Sequence, residues 1–280
     1  MNLKNVINKA SQELIRNNIN NPELDCEILM AEVIKKDRKD VILNSDLKLK
    51  KVSVDFFQHL VNQRLLGKPI AYLTGKKEFW KYEFNITTDV LIPRPDTEIV
   101  IEEVVKLSKN KCRLNILDIG VGSGCIILSI LAEKKDFKGI GIDISKECIK
   151  VSKINARKLG VNNRVKFFKS DVDNFNYGKY DLIISNPPYI SKKVLKNLDK
   201  DVKDFEPKIA LDGGLDGLSE IRKVINKSSE LIKVNGKLIL EIGFDQRRKV
   251  EKILKNKGFY INKVLRDYAK NDRCIISTKI

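Results

Sequence analysis

Two short motifs carry groups that could do chemistry. The first is Asp118-Ile119-Gly120-Val121-Gly122-Ser123-Gly124, lying between an apolar run and a helix-like segment. Glycines there let the backbone turn tightly and approach a ligand with no Cβ in the way. An acid, Asp143, follows 19 residues after Gly124, where a strand-end carboxylate can accept both hydroxyls of a ribose. A dinucleotide fingerprint would need glycine at position 125, where Cys125 stands. The second motif is Asn186-Pro187-Pro188-Tyr189. The Asn186 side-chain oxygen and the Pro187 carbonyl suit a planar NH2 group, whose two N–H bonds need acceptors as the nitrogen moves toward tetrahedral in a transition state. Proline stiffens that carbonyl, and Tyr189 offers a ring to the flat substrate group. No base is needed before transfer, because the proton can leave once the nitrogen is cationic.

The elements that must position these groups are legible around them. LNILDI (114–119), GIGID (139–143), RVKFFKS (164–170), YDLIIS (180–185) and KLILEIG (237–243) read as strands. Helical patterns fall between them from Thr97, Ser123 and Ser145, from about Gly217 to Val234, and after Phe244; YINKVLR and CIISTKI are terminal strands. Such alternation predicts a mainly parallel sheet with helices on both faces, and both motifs then fall at its carboxyl edge. Upstream, Val6, Ile7, Ala10, Leu14 and Ile15 share a helical face, Asn21-Pro22 reads as an N-cap with proline at N1, and Gly67 as the residue that ends a helix. IAYLTG and EFWKYEFNIT, on either side of Gly75-Lys76-Lys77, suggest a hairpin, and Pro93-Arg94-Pro95 forbids a regular helix. The expected organisation is a helical domain at 1–68, a β-hairpin linker at 69–95 and an α/β catalytic domain at 96–280.

Composition narrows the function classes. The chain has 280 residues, 42% hydrophobic and 32% charged, which suits a folded core. No apolar run approaches a bilayer span and the N-terminus lacks a signal-peptide core, so a cytoplasmic protein without membrane association is expected. Its five cysteines are scattered with no CxxC pair, and His59, the lone histidine, sits among apolar residues at helical spacing, so no metal site is expected. The net charge of +17 is the unusual number. It admits an anionic partner, yet 42 of the 54 basic residues are lysine and the excess is spread, +4 over the first 80 residues and +13 over the rest.

The GxGxG loop after an acid resembles that of the S-adenosylmethionine-dependent methyltransferases, whose Rossmann-like fold would match the strand pattern. The Asn-Pro-Pro-Tyr motif occurs in enzymes that methylate exocyclic adenine nitrogen and in those that methylate a glutamine amide, so it names a nitrogen geometry and not a substrate. The remaining motifs resemble the peptide chain release factor glutamine methyltransferases. They are Gly67-Lys68-Pro69 to Gly75, Glu78-Phe79-Trp80, Leu91 to Glu98, Ser170-Asp171, Phe205-Glu206-Pro207, Ala210 to Gly217, Leu240 to Gly243 and Asp272-Arg273. The resemblance implies that Gly120, Val121, Gly122, Ser123, Gly124, Asp143, Asp171, Val172 and Asn186 hold S-adenosylmethionine. Asn186, Pro187, Pro188 and Tyr189 would bind the substrate, with Asn186, Pro187 and Tyr189 carrying catalysis and Arg94 and Glu98 supporting the pocket. The implied substrate is the glutamine of a release factor's Gly-Gly-Gln loop, gripped with help from the helical N-terminal unit, and nucleic acid is not required. The alternative is an adenine-N6 methyltransferase acting on DNA or RNA.

Overall fold

The computed structural model describes residues 2–280, which fall into two units: 2–76 with 199–205, and 77–198 with 206–280. The first is helical. It contains α1 (Leu3–Arg16), α2 (Pro22–Ile34), α3 (Arg38–Leu43), α4 (Lys51–Leu65) and α5 (Ile70–Thr74). Its core gathers Leu3, Val6, Ala10 and Leu14 of α1 with Leu29 and Met30 of α2 and Phe57 and Val61 of α4. Ile15, expected on the same face, is exposed, because the stripe has rotated past the core by that position. Asn21 precedes Pro22 as expected, but it sits in the left-handed region at φ 53° and its side chain makes no capping bond. Beneath the helices a largely buried pair, Arg64 to Asp25 at 2.7 Å, ties α4 to α2.

One local expectation is corrected. IAYLTG does not extend into a strand: Ile70–Thr74 is helical, entered from Pro69 and stopped by Gly75 at φ 71°. Burial of Ala71 and Tyr72, and a bond from Thr74 Oγ1 back to the Ile70 carbonyl, outweigh the β-propensity of the run. The hairpin therefore lies later, as β1 (Lys76–Phe79) and β2 (Tyr82–Asn85), turning at Trp80 and Lys81. Its turn is held by Glu98, whose Oε1 accepts from the Trp80 N–H at 2.8 Å, and by Glu133, whose Oε1 accepts from Trp80 Nε1 at 3.0 Å.

The second unit continues through α6 (Glu98–Leu107), β3 (Asn115–Ile119), α7 (Cys125–Glu133), β4 (Lys138–Asp143), α8 (Lys146–Lys158), β5 (Val165–Lys169), β6 (Tyr180–Ser185) and α9 (Lys192–Leu195). The short α10 (Lys200–Phe205) groups with the first unit. Then come α11 (Ser219–Leu231), β7 (Ile232–Glu241), α12 (Arg247–Asn256), β8 (Phe259–Arg266) and β9 (Asp272–Lys279). The seven strands run in the order β5-β4-β3-β6-β7-β9-β8, the first five parallel and β9 antiparallel to both neighbours. α7 packs on β3 and β4, α8 on β4 and β5, α11 on β6 and β7, and α12 on β8 and β9. Covered strands of this kind must be apolar throughout, which is why Ile116, Leu117, Ile183, Ile184, Leu238 and Ile239 are fully buried. The fold is the expected α/β one, a mainly parallel methyltransferase-type sheet. No helix among the described residues is long and apolar enough to cross a membrane.

Candidate functional site

The strand order reverses at β3. The chain adds β4 and β5 on one side, then returns to lay β6 on the other, so the loops leaving β3 and β6 diverge and open a crevice at the carboxyl edge. Gly120–Gly124 leave β3, Asp143 ends β4, Asp171 follows β5, and Asn186–Tyr189 leave β6. The expected cofactor- and substrate-binding residues thus come from one edge of one sheet, whereas Arg94 and Glu98, expected to support the pocket, lie before and at the start of α6.

The glycine loop is fixed from behind. The N–H groups of Gly120 and Val121 both donate to the Ile142 carbonyl at 2.9 Å, and that of Gly122 donates to Asp143 Oδ2 at 2.9 Å. Asp143 Oδ1 accepts from the Ser145 N–H, so this carboxylate braces the loop as well as facing the crevice. Asn155 on α8 donates to the carbonyls of Ser123 and Asn85 and accepts from the Asn85 N–H, stitching the hairpin's end to the loop. A Cβ on Gly120 or Gly122 would meet nothing within 4 Å, whereas one on Gly124 would lie 2.7 Å from Leu128 Cδ1. The first two glycines line open space and the third packs against its helix. Val121 and Ser123 turn their side chains inward, 4% and 2% exposed. Asp171 Oδ1 accepts from the Asp173 N–H to begin a 3₁₀ turn, and Val172 packs partly buried against the core.

The segment after β6 is held just as firmly. Asn186 Nδ2 donates to Thr97 Oγ1 at 3.3 Å. The Tyr189 carbonyl accepts from Gln246 Nε2 at 2.9 Å, and its hydroxyl lies 3.5 Å from Arg273 Nη1. Burial pushes the Tyr189 phenol up to about 12, with the Glu241 charge adding to the rise. A Cβ on Gly213 would lie 2.9 Å from the Pro188 carbonyl oxygen, and one on Gly217 2.5 Å from that of Tyr189. That close approach is why the 210–217 motif is glycine-rich.

Gln246, which lies in none of the motifs, and several charged residues that do lie in them complete this geometry. Gln246 uses its amide three ways, donating to the Tyr189 and Gly217 carbonyls and accepting from the Gly243 N–H. Arg273 pairs with Asp267 at 2.9 Å and lies 3.6 Å from Asp96, and Arg94 pairs with Glu206 at 2.5 Å. Asp118 and Glu241, at the ends of β3 and β7, are both wholly buried carboxyls. Burial pushes each up to about 7. Asp143 adds to the rise at Asp118, whereas at Glu241 the nearby Thr97 hydroxyl and the Arg273 charge oppose it.

These features fit S-adenosylmethionine. Gly120 and Gly122 leave a cradle that any side chain would fill, and behind it neither oxygen of Asp118 has a hydrogen-bond partner, so an ammonium group at the loop meets an uncompensated carboxylate. Asp143 keeps lone pairs for hydroxyls beyond the two N–H groups it already accepts.

Comparison with known proteins agrees. The PrmC N-terminal domain family matches residues 5–75 and the methyltransferase small domain family residues 96–202. The release factor glutamine methyltransferase of Buchnera aphidicola subsp. Acyrthosiphon pisum is 38% identical over 279 residues, covering 100% of this chain and 99% of that protein. That of Clostridium acetobutylicum is 37% identical over 282 residues, with the same coverage. A bifunctional methyltransferase of Rickettsia typhi is 37% identical over 292 residues, and there the chain spans only 56% of the relative's length. Identity sustained end to end at this level, on a fold whose switch-point crevice carries both motifs, places the chain in the release factor glutamine methyltransferase family.

Proposed function

We propose that this protein transfers a methyl group from S-adenosylmethionine to the side-chain amide nitrogen of the glutamine in the Gly-Gly-Gln loop of peptide chain release factors. The observation that carries the reading is the placement of Asn186–Tyr189 directly across the β3/β6 switch point from the open glycine loop. The cofactor, when bound, supplies an electrophilic methyl group on a sulfonium centre.

The chain's own residues do the rest. Asn186 Oδ1 and the Pro187 carbonyl accept the two N–H bonds of the substrate amide, which draws the nitrogen lone pair out of conjugation and holds it toward the glycine loop. Tyr189 packs against the flat amide, its hydroxyl anchored near Arg273 and its carbonyl by Gln246. Gly120–Gly124, Asp143, Asp171 and Val172 hold the cofactor, and Asn186 stands at the boundary between the two ligands. Much of the acceleration is alignment, for which pre-organisation offers up to roughly 7–11 kcal/mol. Once methylated, the cationic nitrogen would give its proton to water, so none of these side chains has to act as a base.

The electrostatics favour this substrate. Despite the net charge of +17, the crevice edge carries Asp96, Asp143 and Asp171, with Asp118 and Glu241 buried behind them, and Arg94 and Arg273 are already paired with Glu206 and Asp267. An acidic edge suits a sulfonium and a neutral amide, whereas a nucleic-acid backbone would meet repulsion there. The test is incubation with release factors and methyl-labelled cofactor, followed by mass mapping. Label on the loop glutamine is expected; label on adenine of added nucleic acid, with the glutamine unmodified, would overturn the assignment.

A further inference from the structure

Glu241 is a buried ionisable group that the mechanism above does not use. It ends β7, is 2% exposed, and its Oε2 has no hydrogen-bond partner. The groups around it come from several elements: Asp96 and Thr97 from the segment before α6, Cys125 from α7, Asn186 and Tyr189 from the loop after β6, and Arg273 and Cys274 from β9. Thr97 and Asn186 are the two neutral side chains near enough to hold its carboxyl down against the effect of burial.

The geometry of Asn186 gives this arrangement a direction. Its Nδ2 donates to Thr97 Oγ1 at 3.3 Å, and since the amide is planar, turning Nδ2 toward Thr97 turns Oδ1 away from it. A threonine hydroxyl that accepts one hydrogen bond still has its own proton to give. The acceptor beside it is Glu241, and an ionised carboxylate can only accept. A Thr97 hydroxyl turned to Glu241 makes the series run one way, from Asn186 N–H to Thr97 to Glu241, the second link being part of the inference. The oxygen and NH2 ends of an asparagine amide are nearly the same size, so sterics do not choose between them and the hydrogen-bond network must. With the amide reversed, Asn186 would offer N–H groups to a substrate that brings N–H groups of its own.

We propose that Glu241, acting through Thr97, is a positioning residue that fixes the Asn186 side-chain amide with its oxygen toward the crevice, where it accepts from the substrate amide. This rests on the proposed glutamine substrate. It assigns a task to the Leu240–Gly243 motif and explains why a carboxyl is kept in a position that an apolar residue would fill at lower cost.

The test uses the full chain with a release factor as substrate, following initial rates and, by calorimetry, cofactor affinity. Glu241→Leu removes the terminal acceptor and Thr97→Val removes the hydroxyl with little change of shape. Each should lower kcat by about tenfold or more while cofactor affinity stays at the wild-type level. Thr97→Ser should restore the rate, and should Glu241→Leu fail to fold, the Thr97 pair carries the test alone. Glu241→Gln keeps one acceptor oxygen and should recover part of the rate. The pH profile separates positioning from packing. Burial raises the Glu241 carboxyl to about 7, so wild-type kcat should fall as pH drops below that point, where the protonated carboxyl can donate as well as accept and no longer fixes the direction of the series, whereas Glu241→Gln should lack this limb. Wild-type kcat in both Glu241→Leu and Thr97→Val, or an acid limb that persists in Glu241→Gln, would overturn the inference while leaving the glutamine assignment standing. Absence of label on the glutamine with wild-type enzyme would remove both.

Discussion

Asp118 offers the sharpest test of how the site is built, because its two expected effects have opposite signs. Its carboxyl is 1% exposed, neither oxygen is hydrogen-bonded, and burial raises it from 3.8 to about 7. A folded-state value above the unfolded one means that the fold takes up a proton as pH falls from about 7 toward 4. The contribution to stability is then complete below 3.8 and is lost as pH rises through about 7. At about 1.4 kcal/mol for each pH unit, the ionised carboxylate weighs on the empty fold at pH 8 by on the order of 4 kcal/mol. Asp118→Asn keeps the shape and removes the charge, although its buried amide has polar atoms of its own to satisfy. Roughly 1–3 kcal/mol should therefore be regained at pH 8, raising Tm by several degrees. The same change removes the anion behind the glycine loop and should weaken cofactor binding by about tenfold or more, an effect of about 1.4 kcal/mol. Thermal melts of wild type and variant without cofactor between pH 5 and 8, with calorimetric titration of cofactor at pH 8, read both. A variant no more stable than wild type at pH 8, or one whose stability depends on pH as the wild type's does, would refute the reasoning.

Three further perturbations separate the parts of the site. Asn186→Ala should lower kcat by about 10²- to 10³-fold with cofactor affinity intact, whereas Asp143→Ala, which also releases the Gly122 N–H, should mainly weaken cofactor binding; rates and calorimetry on both variants distinguish them. Gly122→Ala, at φ 54° but with open space at its Cβ, should reduce cofactor affinity with a Tm loss of a few degrees. Gly124→Ala adds a collision with Leu128 to the same kind of backbone strain and should lose more Tm than affinity. Gln246→Glu would turn a carboxylate toward the Tyr189 and Gly217 carbonyls; melts at pH 8 should show a loss of roughly 2–4 kcal/mol, partly relieved in acid when the carboxyl can donate again.

What could be read in the sequence follows from the range of the interactions involved. The covered strands show because a strand buried on both faces must be apolar at every position, and Leu117, Ile183 and Ile239 fall in such runs. The glycine loop shows because positive φ at Gly120, Gly122 and Gly124 is a local demand that one residue type meets. Ile70–Thr74 was hidden because its β-forming composition is overruled by the caps at Pro69 and Gly75 and by burial of Tyr72, a tertiary effect. Gln246 was hidden for a different reason, and Thr97, although it lies in the 91–98 motif, gave no sign of its partner: they act on segments 57 and 89 residues away in the chain, respectively, and nothing in their own neighbourhoods marks the contact.

The motifs outside the two chemical ones then acquire a common physical reason. Arg94 and Glu206, from 91–98 and 205–207, are the two halves of one ion pair. Glu98 holds the Trp80 turn of the hairpin, Gly213 and Gly217 allow the chain to pass against the Pro188 and Tyr189 carbonyls, and Arg273 reaches the Tyr189 hydroxyl. Glu241 stands behind Thr97 and Asn186. Several motifs are thus halves of contacts whose other halves lie in another motif, and those of Thr97, Gly213, Gly217 and Arg273 fall on the segment from Asn186 to Tyr189. A planar amide is a poor nucleophile, so the site must hold two acceptors and a ring in a fixed relation to the methyl donor, and a loop of four residues does not hold itself. The scattered signature is the set of braces that makes this loop rigid. Loosening any one brace should therefore cost turnover before it costs cofactor affinity, because the glycine loop is anchored separately through Ile142, Asp143 and Asn155.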